Sequence, residues 1–299
     1  MGVANHCAKC ASQARRLVAT RQGFLRWAGL LIPTQDIRVG HVDLWLAMIL
    51  TGARMRTEED CVSVRFASGA TLHSPARRAR STRTVLREML TTHWRDVGVL
   101  DQYDATAVLQ EGMTVLDVGA NTGCFTLLAS RLVGTAGRVV SLEPIGENYR
   151  CLEKTIEANG LTNATPLQVA VGDRDGELEI TLAEDSGQHS AVLERSGERV
   201  LVPVRTLDSL VAELGLERVD FIKVDVEGME PEVLHGARET IRRFRPHLAV
   251  GAYHLPEHRE LLPHIVREID PDYHVEIKCM ARGLEEEMFA QMITKCGDA

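Results

Sequence analysis

Apolar positions along the chain change rhythm near residue 100. In the first part they recur at helical spacing over 9–32 and 36–53, with Pro33 between, which predicts two helices. Residues 61–66 and 70–73 alternate around Ser68-Gly69, the pattern of a β-hairpin. From residue 112 short apolar runs alternate with helical stretches. Strands are expected at 114–118, 138–142, 166–171, 219–224, 247–253 and 273–279. Helices are expected at 124–133, 146–159, 206–214, 231–244 and 256–269. Two further runs, 178–182 and 199–204, read as a β excursion with a polar loop at 184–197 between them. Alternation of this kind predicts an α/β fold, a doubly wound, mostly parallel sheet of seven strands covered by helices on both faces. Ligands in such sheets bind outside the carboxyl ends of the strands, at the topological switch.

Composition narrows the class. The chain has 299 residues, 44% hydrophobic and 25% charged, which excludes collagen-like and low-complexity chains. The longest apolar run, 44–50, falls well short of the roughly 18–20 residues of a membrane span, so no membrane partner is expected. Arg15, Arg16, Arg21 and Arg26 interrupt the first stretch, which does not read as a signal peptide.

Charge divides where the rhythm does. Residues 1–100 hold 15 Lys+Arg against 7 Asp+Glu, and residues 101–299 hold 19 against 35. The expected organisation is a basic helical and hairpin extension, 1–100, followed by an acidic α/β domain, 101–299. Either the two parts attract each other, or the basic part faces an anionic or carrier-bound substrate. Arg77, Arg78, Arg80, Arg83 and Arg87 are the candidates for the second role. Seven scattered cysteines, an odd count without framework spacing, suit a reducing cytoplasm. Cys7 and Cys10 form a C-x-x-C without the second pair that a zinc site wants. The apolar segment 42–50 suits packing on the main domain or on a second copy, which leaves a homodimer open.

The carboxyl ends of the expected strands carry the chemistry. The first ends Asp117-Val118-Gly119-Ala120-Asn121-Thr122-Gly123, where glycines let the turn tighten and a ligand lie against bare backbone. The second ends Glu143-Pro144, which puts a carboxylate at the height of a ribose. A nicotinamide dinucleotide would want G-x-G-x-x-G opening the helix, to bring N–H groups to the pyrophosphate. Here the spacing is G-x-x-x-G, and Asp117 would point a negative charge at the phosphates. S-adenosyl-L-methionine has no phosphate. Its cationic end suits Asp117, its carboxylate suits the amides of the turn, and its ribose suits Glu143. Backbone around Ala170, ending the third strand, is placed to edge the adenine.

These segments, together with residues 221–230 (Phe-Ile-Lys-Val-Asp-Val-Glu-Gly-Met-Glu), resemble the FkbM family of S-adenosylmethionine-dependent methyltransferases. The resemblance covers 112 to about 279. It implies a class I, Rossmann-like fold and O-methylation of a hydroxyl on a sugar, secondary metabolite or other small molecule. Methyltransferases of nucleic-acid amines carry Asn/Asp-Pro-Pro-aromatic after the fourth strand. Asp225-Val226-Glu227-Gly228 stands there instead, so no nucleic-acid partner is expected.

An alcohol needs its proton removed as the methyl group arrives, and a positioned base contributes about 10²–10⁴-fold. The candidates are Asp225, Glu227 and His254, all at the ends of strands four and five. Lys223 shares a strand face with Asp225, so an ion pair with Asp225 or Glu227 is expected. Asp225 also qualifies as a contact for the methionine ammonium. No resident metal is expected, although Asp225 and Glu227 are ligand types. His189 is a candidate for a substrate lid, and His258, His264 and His274 read as surface. The alternatives to a methyltransferase are a non-catalytic module that binds a nucleoside cofactor and a nicotinamide-dependent oxidoreductase.

Overall fold

The structure, a computed structural model, describes residues 18–20, 24–27, 30–33, 54–66, 69–76, 105–183, 189–192, 197–279 and 286–292. Its centre is a seven-stranded sheet. Chain order supplies β7 (Thr114–Val118), β8 (Arg138–Leu142), β9 (Ala164–Leu167), β13 (Phe221–Val224), β14 (His247–Gly251), β15 (Tyr273–Cys279) and β16 (Glu286–Met292). Across the sheet the order is β15-β16-β14-β13-β7-β8-β9. All neighbours are parallel except β16, which runs antiparallel between β14 and β15. The chain winds from β7 out to β9, then returns across β7 to start β13, so the switch point lies between the carboxyl ends of β7 and β13.

Helices α1 (Ala105–Val108), α2 (Cys124–Val133), α3 (Gly146–Ala158), α4 (Leu207–Glu213), α5 (Glu230–His235), α6 (Arg238–Phe244) and α7 (His258–Ile269) surround this sheet. The period-2 alternation of the strands sorts them into two layers. Val115, Val139, Phe221 and Ala249 face one way and pack on Phe125, Leu128 and Val133 of α2. Leu116, Leu142, Ile222, Val224 and Val250 face the other way and pack on Leu207 and Leu210 of α4, Val233 of α5, Ile241 of α6 and Leu262 of α7. Burial on both faces is why these strands read as continuous apolar runs.

Two smaller sheets stand beside the main one. β10 (Ala170–Val171), β11 (Gly176–Thr181) and β12 (Arg199–Arg205) form the expected excursion, in the order β10-β12-β11. It packs through Ile180, Val202 and Val204 on Ile145, the residue before α3. β4 (Arg54–Thr57), β5 (Cys61–Arg65) and β6 (Thr71–Pro75) form an antiparallel sheet that contains the expected hairpin. Val64, Phe66 and Leu72 pack on Cys124 and Leu127 of α2, and Thr71 exchanges hydrogen bonds with Asn159 at the end of α3. This part of the 1–100 segment thus shares a core with the 101–299 segment.

Several expectations need correction. Within the helix expected over 9–32, the described residues are strands instead: β1 (Val18–Thr20), β2 (Phe24–Trp27) and β3 (Leu30–Pro33) form an antiparallel sheet. The sequence itself carries glycine at 23 and 29, spacing that disfavours one continuous helix. The expected third strand divides, β9 staying in the main sheet and β10 joining the excursion. The helix expected at 231–244 breaks into α5 and α6 at Gly236, where a Cβ would sit 2.0 Å from the Gly172 carbonyl oxygen. The segment 36–53 and the arginines at 77–87 lie outside the described residues. Among the described residues no helix is long and apolar enough to cross a membrane.

Candidate functional site

The site is built around the turn that follows β7. Gly119 has φ +77°, and a Cβ there would lie 1.9 Å from the main-chain oxygen of Asp225. Only glycine lets the β7 turn press against the chain leaving β13. The Asp225 N–H donates to the Val118 carbonyl at 3.1 Å and locks the two strand ends together. Asn121 (φ +50°) and Gly123 (φ +92°) complete the turn in left-handed conformations.

Glu143, just past β8, is only 5% exposed. It accepts from the Asn121 N–H (2.9 Å), the Ile145 N–H (2.9 Å) and the Asn148 amide (3.3 Å). Burial pushes its carboxyl up to about 7, and these hydrogen bonds offset only part of that rise. Oε1 accepts two of these bonds and Oε2 one, so Oε2 keeps acceptor capacity for a further donor. Ala120 is buried at the same turn, Pro144 follows Glu143, and buried Ala170 lies in the β10 strand beside Ile145. Asn121 Oδ1 is buried with no hydrogen-bond partner among the described residues. A crevice that offers a buried carboxylate and an orphaned amide oxygen fits a group bringing hydroxyls and an ammonium, as S-adenosylmethionine does.

Asp117 is placed differently from the expectation. Its carboxylate is fully buried, accepts from Thr126 Oγ1 of α2 at 2.7 Å, and lies 3.2 Å from Lys223 Nζ. Lys223 pairs in register with Asp117 on the neighbouring strand, which corrects the ion pair expected with Asp225 or Glu227. Its ammonium also donates to the carbonyls of Gly119 (2.7 Å) and Val118 (3.3 Å). The Asp117 charge is therefore met by Lys223, and the pair holds the turn from beneath.

The other half of the site gathers at the ends of β13 and β14. His254 lies at the centre. Its Nδ1 is 2.9 Å from Glu230 Oε1, and its Nε2 is 3.4 Å from Asp225 Oδ1 and 3.5 Å from Glu227 Oε1. Burial opposes charge on the ring, but Glu227, Glu230 and Asp225 outweigh it and push His254 up to about 11. The ring therefore carries both protons at neutral pH.

Glu230, at the start of α5, is completely buried. Burial alone would raise its carboxyl. His254, His258 (3.3 Å) and the N–H of Val226 instead bring it down to about 2. The Tyr253 hydroxyl donates to Asp225 Oδ1 at 3.1 Å, and its ring lies against the His254 ring. Asp225 and Glu227 keep 20% and 17% of their side chains exposed, whereas His254 keeps 3%. The first two thus form the wet face of the cluster, and the imidazolium lies behind them.

The structure thus brings Asp225, Glu227 and His254 into one cluster, and Gly119, Ala120, Asn121, Gly123, Glu143 and Pro144 around one crevice beside it. Glu230 and Tyr253 were missed, although both adjoin residues already singled out. His258, expected at the surface, is buried against Glu230 because α7 folds its first turn back over α5. Ligand atoms of Asp225, Glu230 and His254 lie within 4.8 Å of one another, spacing that suits a metal ion. Where no ion is bound, a protonated His254 offsets the charge of these carboxylates. From the excursion, Ser190 Oγ donates to the Glu227 carbonyl at 2.6 Å, and His189 Nε2 lies 3.7 Å from Glu147 in the first turn of α3. Residues 189–190 thus link Glu227 at the end of β13 with Glu147 of α3.

With this geometry in hand, comparison with known proteins is specific. The Methyltransferase FkbM domain matches residues 117–279, more than half the chain. Relatives include the AMB antimetabolite synthetase AmbE of Pseudomonas aeruginosa, 31% identical over 171 residues, 43% of this chain and 8% of that protein. The methyltransferase sdnD of Sordaria araneosa is 28% identical over 187 residues, 52% of this chain and 68% of that protein. The 2-O-methyltransferase NoeI of Sinorhizobium fredii is 27% identical over 156 residues, 44% of this chain and 60% of that protein. The matched part is thus a small fraction of the first relative and about two thirds or less of the other two.

Proposed function

The chain belongs to the FkbM family of S-adenosylmethionine-dependent methyltransferases, and from that premise we propose that it methylates a hydroxyl group of a small molecule, sugar or secondary metabolite. The observation that carries the proposal is the pair of partly exposed carboxylates, Asp225 and Glu227, beside the β7 turn. That one relative is named a 2-O-methyltransferase agrees with a hydroxyl acceptor. Family membership displaces the nicotinamide-dependent alternative. The carboxylate pair argues against a module that only binds the cofactor.

When bound, S-adenosylmethionine supplies the methyl group and its own leaving group. Everything else falls to the chain. Glu143 would hold the ribose hydroxyls, and Gly119, Ala120 and Gly123 keep the backbone of the turn bare for the methionine carboxylate. Asn121 Oδ1 would receive the ammonium. Pro144 and Ala170 would line the nucleoside end. Asp117 acts through Lys223 and Thr126, by fixing the turn. Asp225 takes the proton from the acceptor hydroxyl as the new bond forms, because its main chain packs on the Gly119 turn and its side chain stays partly exposed. Glu227 binds the acceptor. His254, as an imidazolium, holds both carboxylates in position instead of accepting the proton, and Tyr253 orients Asp225. Residues 189–190 help to shield the reacting groups from water.

The experiment is transfer of a labelled methyl group from S-adenosylmethionine to a panel of sugars and other hydroxylated small molecules. Label should appear as an ether. Asp225→Asn should lower turnover by about 10²–10⁴-fold while cofactor affinity stays within a few-fold. Label confined to nitrogen or carbon acceptors would contradict the proposal, as would full turnover by Asp225→Asn. An anionic or carrier-bound acceptor is the further expectation from the arginines at 77–87. Replacing Arg77, Arg78 and Arg80 together should then raise the acceptor KM and leave cofactor affinity unchanged.

A further inference from the structure

Cys61 and Cys151 are separated by 90 positions in the chain, yet their sulfur atoms lie 3.1 Å apart. Cys61 opens β5 and Cys151 sits in the second turn of α3, so the pair spans the contact between the small antiparallel sheet and the main domain. Both side chains are buried and both thiols are free. We propose that Cys61 and Cys151 are a modification site, a dithiol that closes to a disulfide and fastens the β4–β6 sheet to α3.

Three observations support this. A disulfide places its sulfurs about 2.05 Å apart, so closure needs an approach of only about 1 Å. The elements that carry the cysteines are already held together one turn of α3 beyond Cys151. The Lys154 ammonium donates to Asp60 at 2.6 Å, and the His73 N–H donates to Thr155 Oγ1 at 3.1 Å. Finally, the mechanism proposed above uses neither thiol, so the pair is free for a separate role.

The reaction is thiol–disulfide exchange with a low-molecular-weight disulfide. One cysteine, as its thiolate, attacks a sulfur of that oxidant, forming a mixed disulfide and releasing one small thiol. The second cysteine then attacks the protein sulfur of the mixed disulfide and releases the other small thiol. The two cysteines lose two electrons and two protons in all, and the oxidant is reduced to two thiols. Burial makes the first attack slow and dependent on local opening at the start of β5. The second is fast because its partner is already adjacent. The bond also bears on the cofactor crevice, because Asn148, which donates to Glu143, lies one helical turn before Cys151. A fixed α3 holds that amide in place.

The test uses the full chain, folded, incubated with oxidised glutathione, then alkylated and digested without reduction. Mass spectrometry should find the Cys61 and Cys151 peptides joined with the loss of two hydrogens. The joined form should unfold about 5–10 °C higher than the reduced form, because the bond closes a long loop. Cys151→Ser should abolish both the joined peptide and the shift. The wild-type peptide map stands even if that variant folds poorly. Recovery of Cys61 and Cys151 as separate alkylated or glutathionylated peptides after prolonged oxidation would overturn the proposal. So would joining of either cysteine to a different one.

Discussion

Two glutamates withdrawn from water, Glu143 and Glu230, are driven in opposite directions. Burial pushes Glu143 up to about 7, because the donors around it are neutral amides. Burial should do the same to Glu230, yet the imidazoles of His254 and His258 bring it down to about 2. The difference separates two kinds of buried acid. Glu230 has its cation and serves as a structural anchor. Glu143 is held in place but incompletely satisfied, so it gains from a ligand that brings hydroxyl groups. The Glu143 half of the site thus keeps hydrogen-bond capacity in reserve, and the acid half is a closed electrostatic unit whose carboxylates Asp225 and Glu227 stay partly exposed.

The largest effect should come from breaking the closed unit. Glu230→Gln strands the His254 and His258 side of the cluster and should cost about 3–5 kcal/mol of stability in urea denaturation at neutral pH. A loss below about 1 kcal/mol would mean that the two glutamates do not differ as described. Asp117→Ala should behave in the same way, because it leaves Lys223 buried without its carboxylate. It should also weaken cofactor binding at least tenfold through the loosened turn. Wild-type stability and affinity together would remove that role from Asp117.

The pH dependence sharpens the contrast. Glu230, with its lowered folded value, contributes stability above about pH 4.5 that is lost as the pH falls toward 2. His254, with its raised value, contributes fully below about pH 6.5, and its contribution drains away as the pH rises through about 11. Glu143 acts in the same sense as His254 over a lower range, from about pH 4.5 to about 7. Stability measured across pH should therefore show two removable declines. Glu143→Gln should flatten the one ending near pH 7, and His254→Gln the one beyond it. Unchanged pH profiles in both variants would refute the assignments. The smallest effect belongs to Tyr253→Phe, which removes one hydrogen bond to Asp225 and should cost about 1 kcal/mol. It should lower turnover more than cofactor affinity, and an equal loss in both would place Tyr253 elsewhere in the mechanism.

Much of the fold was legible because strands buried on both faces have a distinctive sequence. Residues 114–118, 138–142, 221–224 and 247–251 are apolar runs bounded by glycine, proline or acidic turns, and each becomes a strand at or near its expected bounds. β16 was not legible. It opens with two glutamates and inserts between β14 and β15, a placement set by its neighbours and not by its own pattern. The three short strands between 18 and 33 mimic a helical period because each run spans only three or four residues.

In the site, the sequence pointed to strand ends but not to the pairings made between them. The turn at 117–123 and Glu143 announce themselves through glycine spacing and position after a strand. The contacts of Glu230 with His254 and His258 cross 24 and 28 positions, and nothing in a single sequence reports that α7 folds back on α5. Lys223 was paired with the wrong carboxylate for the same reason. Its partner, Asp117, is on the adjacent strand, 106 positions away.

The central claim is that Glu143 is the buried acid that awaits the cofactor. Calorimetric titration of the folded chain with S-adenosylhomocysteine at pH 6 and pH 8 tests it most directly. Saturable binding at one site, tighter at pH 8, is expected, with Glu143→Gln losing at least tenfold in affinity and most of the pH dependence. A flat trace on folded protein, or equal affinity in the variant at both pH values, would contradict it.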